Sequence, residues 1–153
     1  MVANTKLLSF PCHQDNHGCL VPVETYQDIP FGVKRIYYIY GVDADARRGF
    51  HSHKDLEQAL ICIHGSVTIQ VKTPYQSEDV ILNNPTKALY IGPMVWREMY
   101  NFSPDAVLLV LASEHYTPSD YIRNYDEYVL KAEAFFADNR KEEESNASSV
   151  CHF

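Results

Sequence analysis

Residues 59–72 read ALICIHGSVTIQVK, and this stretch decides the fold class. Its first part, Ala59–Ile63, is a continuous apolar run, whereas its second part, Ser66–Lys72, alternates apolar and polar side chains. A short apolar run is typical of a strand buried on both faces, and strict alternation is typical of a half-buried strand. Because His64 and Gly65 separate the two parts, the segment predicts a β-hairpin closed by a tight turn.

Further strand patterns lie on both sides of this segment. The predicted strands are Lys34–Tyr40, with the sequence KRIYYIY, and then Asp79–Leu82, Ala88–Ile91, Val95–Tyr100 and Ala106–Ala112. The breaks between the later strands carry turn-forming residues such as Asn, Gly, Pro and Asp. Many short strands at a spacing of roughly ten residues predict an all-β sandwich, jelly roll or barrel.

The pattern becomes helical after these strands. From Ser119 onward, apolar residues recur at steps of three and four, as expected for one face of a helix: Ile122, Tyr125, Val129, Ala132 and Phe136. Ser119 or Asp120 is the expected N-terminal cap. Residues 138–153 have few apolar side chains and a KEEE run, so they predict a mobile polar tail behind a single domain of residues 1–137.

Composition and charge exclude several classes of protein. The chain has 153 residues, of which 13 are Lys or Arg and 20 are Asp or Glu, so its formal net charge is −7. A nucleic-acid binder would carry a basic surface instead. No apolar run is long enough for a membrane span. Met1–Phe10 lacks the features of a signal peptide, so we expect a cytoplasmic protein without nucleic-acid or membrane partners.

The cysteines do not follow a metal-binding pattern. Cys12, Cys19, Cys62 and Cys151 have spacings that match no zinc motif, and Cys62 lies inside an apolar run. In a chain that is expected to stay in a reducing compartment, buried free thiols are the better interpretation.

The densest group of reactive side chains is RRGFHSHKDLE, residues 47–57. If this segment is a strand, then His51 and His53 point to one face and Ser52 points to the other. Two imidazoles on one wall are able to share a metal ion. Alternatively, one acts as a base while the other holds a substrate.

His51-x-His53 followed by Glu57 and Gly65 resembles the first motif of the cupin superfamily, which implies a small β-barrel with an internal pocket. Metal-binding cupins take a further histidine from a second motif. The corresponding stretch here, Pro93–Asn101, has no histidine and carries Arg97 instead. A cation beside a metal would weaken metal binding, whereas it suits an anion. Glu98 is the one residue there able to replace the missing ligand, and we do not expect a metal or another cofactor.

Several segments read together resemble the nucleotide-sugar 3,4-ketoisomerase family. These segments are IPFGVKRIYYIYGV, RRGFHSHKDLEQALICIHGSV, ALYIGPMVWREM, FSPDAVLLVLAS and DYIRNYDEY, and they cover roughly residues 7–129. The resemblance implies a metal-free cupin jelly-roll barrel with a C-terminal helix, and a homodimer. It also implies conversion of dTDP-4-keto-6-deoxyglucose to its 3-keto isomer, on the way to 3-amino-3,6-dideoxy sugars.

The resemblance assigns catalytic roles that fit the residue types. Moving a carbonyl from C4 to C3 requires a base for the C3 proton, and an imidazole has a pKa near the working pH. The catalytic histidine of the family corresponds to His51, and His53 would assist as a hydrogen-bond partner or second proton carrier. Tyr37 is the pocket tyrosine, whose hydroxyl would polarise a sugar oxygen.

The remaining candidates concern substrate binding. Arg48, Arg35 and Arg123 are candidates for holding the diphosphate or an oxyanion. Family members that set the C4 hydroxyl axial or equatorial differ at two places, which here hold His17 and Arg97. Arg97 resembles the equatorial, gluco type, whereas His17 differs from the tyrosine or arginine expected there.

Three other functions compete with the ketoisomerase. A 3,5-epimerase-like sugar enzyme would also use a histidine base. A metal-dependent cupin oxygenase would use His51, His53 and Glu57 as ligands. A non-catalytic protein would bind the nucleotide sugar without proton exchange.

Overall fold

The computed structural model describes residues 1–150, which form mostly β-strands and end in one helix. The strands are β1 Thr5–Ser9, β2 His13–Asp15, β3 Gly18–Leu20, β4 Arg35–Tyr40, β5 Arg48–His53, β6 Gln58–His64, β7 Val67–Lys72, β8 Ser77–Leu82, β9 Lys87–Ile91, β10 Trp96–Tyr100, β11 Val107–Ala112 and β12 Tyr121–Ile122. A 3₁₀ turn covers Pro118–Asp120, and helix α1 covers Tyr125–Val150.

Two antiparallel five-stranded sheets make up the body of the molecule. The first has the order β1-β9-β6-β11-β4 and the second the order β12-β5-β10-β7-β8. The main apolar core contains side chains from both sheets, among them Leu60, Leu108 and Ile69. The all-β jelly roll expected from the sequence is confirmed, with its sheets arranged as a sandwich.

The expected strands are found, with ends that differ by at most two residues, but the expected hairpin is wrong. β6 pairs with β9 and β11, whereas β7 pairs with β8 and β10, so residues 64–66 carry the chain from one sheet to the other. Gly65 has φ +73°, and a Cβ there would lie 2.3 Å from Ser103 Oγ. Turn-forming residues show where the chain changes direction, but they do not determine which strands pair. The pairing depends on the strands of the whole sheet.

The N-terminal strands were not expected from the sequence. β1 pairs with β9 at the edge of the first sheet, and β2 pairs with β3 in an exposed two-stranded ribbon. Cys12, Cys19 and Cys62 are free thiols, as expected, but only Cys62 is buried; Cys12 and Cys19 are exposed, so burial was a wrong expectation for these two. Cys151 lies outside the described residues.

The helix begins later than the sequence indicated. Tyr121 and Ile122 form β12 and pair with β5, so the helix starts at Tyr125 and not near Ser119. Its cap is Asn124, whose Oδ1 accepts a hydrogen bond of 2.9 Å from the backbone N–H of Glu127. Tyr128, on the first turns of α1, is completely buried against the outer face of the second sheet.

The segment expected to be a mobile tail from Asp138 is helical up to Val150, as the continuation of α1. Most of its side chains are exposed, which agrees with its polar sequence. Within residues 1–150, no helix combines the length and the apolar character that a membrane span requires.

Candidate active site

A β-bulge in β5 sets the position of the histidine pair. Across from β10 the register shifts, so that Arg97 lies opposite His51 but Glu98 lies opposite Gly49. Gly49 has φ +95°, and a Cβ there would lie 2.9 Å from the carbonyl oxygen of Arg97, so a side chain at this position is excluded. Phe50 also has a positive φ, of 54°. The bulge re-aims the end of β5 that carries His51 and His53.

The His51 ring is held in its neutral form. Its Nδ1 lies 3.0 Å from the Gly49 carbonyl oxygen, which can only accept a hydrogen bond. The neutral ring therefore carries its proton on Nδ1 and leaves the Nε2 lone pair free. Burial, together with the positive charges of Arg97 and Arg123, lowers the pKa of His51 to about 4, so the ring is uncharged at neutral pH.

His53 lies beside His51 on the same face, as the strand alternation predicted. The two ring centroids are 4.8 Å apart, with an interplanar angle of 85°. His53 Nδ1 lies 3.1 Å from Asp120 Oδ2, and the buried Nε2 has no hydrogen-bond partner among the residues that the structure describes. Burial, Arg97 and the neighbouring His51 all lower the pKa of His53. It is therefore a second neutral imidazole, with its tautomer fixed by Asp120.

Tyr121 forms a wall against both histidines. Its ring centroid lies 5.1 Å from that of His51 and 4.4 Å from that of His53, and the Arg123 guanidinium lies 4.3 Å from the Tyr121 ring. Sequence analysis did not select Tyr121 or Asp120 for the site, because it placed both at the start of the helix. The signal that was available is the DYIR segment, which is among those that carry the family resemblance.

Arg97 is a buried cation without a carboxylate partner. Only 1% of it is exposed, and it donates hydrogen bonds to Gln58 Oε1 and, at 3.1 Å, to the Val95 carbonyl oxygen. Its Nε has no partner, and no acidic side chain of residues 1–150 forms a salt bridge with it. Burial lowers the pKa of Arg97 only to about 10, so it stays charged at neutral pH.

Tyr37 is connected to Arg97 through Gln58. Gln58 Nε2 donates to the Tyr37 hydroxyl oxygen at 3.0 Å, while Gln58 Oε1 accepts from Arg97. Gln58 was also missed by sequence analysis, because it reads as the first residue of an apolar strand. A buried glutamine there has no sequence signature of its own.

The open space of the site is an arginine-rich cavity of about 370 Å³. The residues around it that matter for function are Arg35, Tyr37, Arg48, His51, Tyr121 and Arg123. A second cavity of about 510 Å³ shares Arg35 and Tyr121 with the first and is lined by His53 and Asp120. Three arginines around one cavity make it attractive for an anionic ligand, despite the negative net charge of the chain.

The structure brings together all but one of the candidate residues. Tyr37, Arg35, Arg48, His51 and Arg123 line the first cavity, His53 lines the second, and Arg97 lies buried beside the histidines. His17 does not line either cavity. It is an exposed residue at the tip of the β2–β3 ribbon, where its backbone N–H donates to Asp15 Oδ1 at 2.7 Å.

The acidic residues considered as metal ligands face away from the histidines. Glu98 accepts hydrogen bonds from Arg47 Nε at 2.8 Å and from Trp96 Nε1 at 3.0 Å. Glu57 accepts one of 2.6 Å from the Tyr90 hydroxyl. Among residues 1–150, no group of three or more His, Cys, Asp or Glu side chains is arranged to hold a metal. The ligand set of a metal-dependent cupin therefore does not fit this site.

The fold and the site define a class: a cupin-type jelly roll that brings together a neutral histidine, a buried arginine and a tyrosine. The chain belongs to the family described as FdtA: WxcM-like, C-terminal, whose model matches residues 3–133.

Similar proteins are named as sugar isomerases. The chain is 43% identical, over 80% of its length and 88% of the relative, to the TDP-4-oxo-6-deoxy-alpha-D-glucose-3,4-oxoisomerase of Aneurinibacillus thermoaerophilus. It matches the crystal structure of the H51N mutant of the 3,4-ketoisomerase QdtA from Thermoanaerobacterium thermosaccharolyticum in complex with TDP-4-keto-6-deoxyglucose, with 51% identity and a TM-score of 0.86 over 88% of this chain and 97% of that one. The WlaRB TDP-quinovose 3,4-ketoisomerase of Campylobacter jejuni is 46% identical, with a TM-score of 0.82 over 84% of this chain and 99% of that one.

Proposed function

We propose that this protein is a dTDP-4-keto-6-deoxy-D-glucose 3,4-ketoisomerase that works by proton transfer without a metal. The observation that carries the proposal is a neutral His51, with a free Nε2 lone pair, at a cavity surrounded by arginines. The names of the relatives, together with 43–51% identity over most of each chain, support the same reaction.

The reaction needs a base that removes the proton from C3 and a proton donor for C4. His51 Nε2 takes the proton from C3, and the electron pair of that bond forms the C3–C4 double bond while O4 becomes negative. A proton is then delivered to C4 while the O3 proton passes to O4, which leaves the ketone at C3 and a neutral hydroxyl at C4, so the product is an isomer of the substrate. Positioned proton transfer of this kind contributes about 10²–10⁴-fold to a rate.

The developing enediolate is the charged species that the site must stabilise. Arg97 is buried, charged and bonded only to neutral acceptors, so its field is not cancelled by a carboxylate of the described residues. Such a preorganised charge is worth more in a buried site than in water. The Tyr37 hydroxyl, which lines the cavity, is placed to donate to a sugar oxygen. His53, with its unpartnered Nε2, assists as the second proton carrier.

We assign the diphosphate to the arginines around the cavity. Arg35, Arg48 and Arg123 all line it, and guanidinium groups bind phosphate oxygens in a bidentate manner. This assignment also explains how a chain of net charge −7 would bind an anionic substrate.

The test is exchange of the C3 proton. The purified protein is incubated in deuterated water with dTDP-4-keto-6-deoxyglucose, and the sugar protons are followed by NMR. Loss of the C3 proton signal and formation of the 3-keto isomer are expected. Exchange at C5 as well would indicate an epimerase-like enzyme, binding of dTDP without exchange would indicate a non-catalytic protein, and activity that requires a stoichiometric metal would indicate a metal-dependent enzyme.

We propose that the product carries an equatorial C4 hydroxyl, the gluco configuration. Arg97 supports this assignment, and so does the likeness to WlaRB, since quinovose is the 6-deoxy sugar with that configuration. His17 was expected to take part in this choice but lies outside both cavities of its own chain. A large H4–H5 coupling in the NMR spectrum of the product is expected, whereas a small coupling would show the axial product.

We propose that the protein is a homodimer. The edge strand β4 leaves Ile36, Tyr38 and Tyr40 exposed on the outer face of the first sheet, with exposed fractions of 60–70%. Such a patch on a sheet edge is typical of an interface. Sedimentation of the full chain is expected to give the mass of two copies, and Tyr38→Lys is expected to shift it toward one. A monomer at all concentrations would contradict the proposal.

We place the reaction in the cytoplasm, in a route to 3-amino-3,6-dideoxy sugars. A ketone at C3 is the group that an aminotransferase replaces with an amine, so a transamination is the step that consumes the product. Coupling the protein to such an enzyme is expected to trap the 3-keto sugar as its 3-amino derivative.

A further inference from the structure

Gln58 joins two site residues without lining either cavity. It lies at the start of β6 and is only 2% exposed. Its amide nitrogen is 3.0 Å from the Tyr37 hydroxyl oxygen, and its amide oxygen accepts from Arg97 Nη1. Both partners are buried or half-buried, so these contacts are shielded from water.

The direction of both hydrogen bonds is fixed by chemistry. A guanidinium group has only donors, so the atom of Gln58 that faces Arg97 must be the carbonyl oxygen. The amide NH₂ then faces Tyr37 and can only donate. The Tyr37 oxygen must accept this bond, and its own proton is left for another acceptor. Because Tyr37 lines the cavity that His51 also lines, this proton is available to an acceptor atom of a ligand in that cavity.

We propose that Gln58 is a positioning residue that sets the Tyr37 hydroxyl as a hydrogen-bond donor toward the reacting sugar oxygens. The inference rests on the proposed ketoisomerase function and adds a residue that does not touch the substrate. Arg97 has two roles in this proposal. Its charge stabilises the enediolate, and its Nη1–H group fixes the orientation of the Gln58 amide.

A carboxylate at position 58 reverses the direction of the hydrogen bond between residue 58 and the Tyr37 hydroxyl. In Gln58→Glu one oxygen still accepts from Arg97, while the other can only accept from Tyr37. The tyrosine proton then points at residue 58 and away from the cavity. The variant keeps the volume of the side chain and its bond to Arg97, so the packing around β6 is preserved. The new carboxylate also offsets the charge of Arg97, and this part of the loss is expected equally with and without the Tyr37 hydroxyl.

The experiment is a double-mutant cycle on the C3 exchange rate, measured at pH 8, where His51 is neutral in every variant. Tyr37→Phe and Gln58→Glu are each expected to lower kcat by about 10²-fold, which is typical of losing one preorganised donor. In the Tyr37→Phe background, Gln58→Glu is expected to cost at least about tenfold less than it does alone. The KM for the nucleotide sugar is expected to change little, because the bond matters mainly to the charged intermediate.

The matched control is Gln70→Glu, the same substitution next to an arginine on the other face of the sheet. Gln70 Oε1 accepts from Arg47 Nη2 at 3.1 Å and lies outside both cavities. Its exchange rate is expected to stay within about threefold of the parent, since surface substitutions act weakly.

Each result decides a different point. No exchange by the parent protein would overturn the proposed function itself. Two results would overturn the positioning role alone, provided that the parent protein does exchange the C3 proton. One is full activity of Gln58→Glu. The other is a loss of kcat on Gln58→Glu that is equally large in the parent and in Tyr37→Phe. If Gln58→Glu does not fold, as judged by its melting temperature, then Gln58→Met enters the same cycle. It removes the bond to Tyr37 without adding charge, and the same coupling is expected.

Discussion

The two faces of β10 treat charge in opposite ways. Arg97 points inward and has only neutral hydrogen-bond partners beside two neutral histidines. Its neighbour Glu98 points outward and is satisfied by Arg47, by Trp96 and, at 3.4 Å, by Lys72. One strand therefore carries a compensated carboxylate on one face and an uncompensated guanidinium on the other.

The difference in charge compensation supports the proposal that the reaction takes place at the inner face of β10. A buried charge without a counter-ion costs free energy, and proteins keep such groups mostly where function needs them. On the outer face of β10, Glu98 pairs with Arg47 and Lys72. Trp96 on the same face packs against Tyr125 and Tyr128 of α1. On the inner face the charge of Arg97 meets only neutral acceptors, and under the proposed function it is available to the enediolate.

Replacing the proposed base, His51, should have the largest effect on the C3 exchange rate. His51→Asn is expected to lower the C3 exchange rate by about 10²–10⁴-fold, because the ring nitrogen that takes the proton is lost. Binding of dTDP, measured by calorimetry, is expected to persist, since the arginines stay in place. Turnover close to that of the parent would mean that another group is the base.

Removing the inner charge should have the next largest effect. Arg97→Met is expected to lower kcat by about 10²–10³-fold, as for the loss of a preorganised stabiliser of negative charge. It should also move the acidic limb of the kcat/KM profile to higher pH, because the positive charge of Arg97 helps to lower the pKa of His51.

Arg97→Lys serves as the control, since it keeps the charge and is expected to leave that limb at low pH. An acidic limb that does not move in Arg97→Met would contradict the electrostatic role of Arg97.

The outer carboxylate should affect stability and not catalysis. Glu98→Gln is expected to lower the free energy of unfolding by about 1–3 kcal/mol, because a buried acceptor for Arg47 and Lys72 loses its charge. Denaturant unfolding measures this change. The exchange rate is expected to stay within about threefold of the parent. A large loss of activity in a folded Glu98→Gln protein would mean that the two faces are not separate in function.

The smallest effect is the pH dependence of stability. His51 has a pKa of about 4 when folded and an ordinary value of 6.5. Between these values the unfolded chain binds a proton that the folded chain does not, so stability falls as the pH falls from 6.5 toward 4. In His51→Asn the slope of unfolding free energy against pH should be shallower there, by at most about 1.4 kcal/mol per pH unit. Parallel curves for the two proteins would contradict the lowered pKa.

Local patterns predicted the strands and the histidine pair, but not the partners across the sheets. The alternation of Arg48–His53 was enough to place His51 and His53 on one face, as the contact between their rings, with centroids 4.8 Å apart, confirms. The alternation in Ser66–Lys72 marked β7 but gave it the wrong neighbour, because strand pairing depends on distant residues.

The residues around the histidines were harder to find. Asp120 and Tyr121 lie where a helical spacing overlaps a two-residue strand, and the pairing with β5 decides between the two. Gln58 looks like the edge of a core strand until its two partners, which come from different strands, are seen beside it. Chain length and net charge gave no information about these residues, because their place in the site depends on contacts between distant parts of the chain.

The most direct test of the account is an NMR titration of the His51 imidazole nitrogens in the intact protein, with His51→Asn used to assign the signals. At pH 7 a neutral ring with its proton on Nδ1 is expected, and protonation should occur only near pH 4. A ring that is charged at pH 6, or one that carries its neutral proton on Nε2, would contradict the claim that His51 is the base.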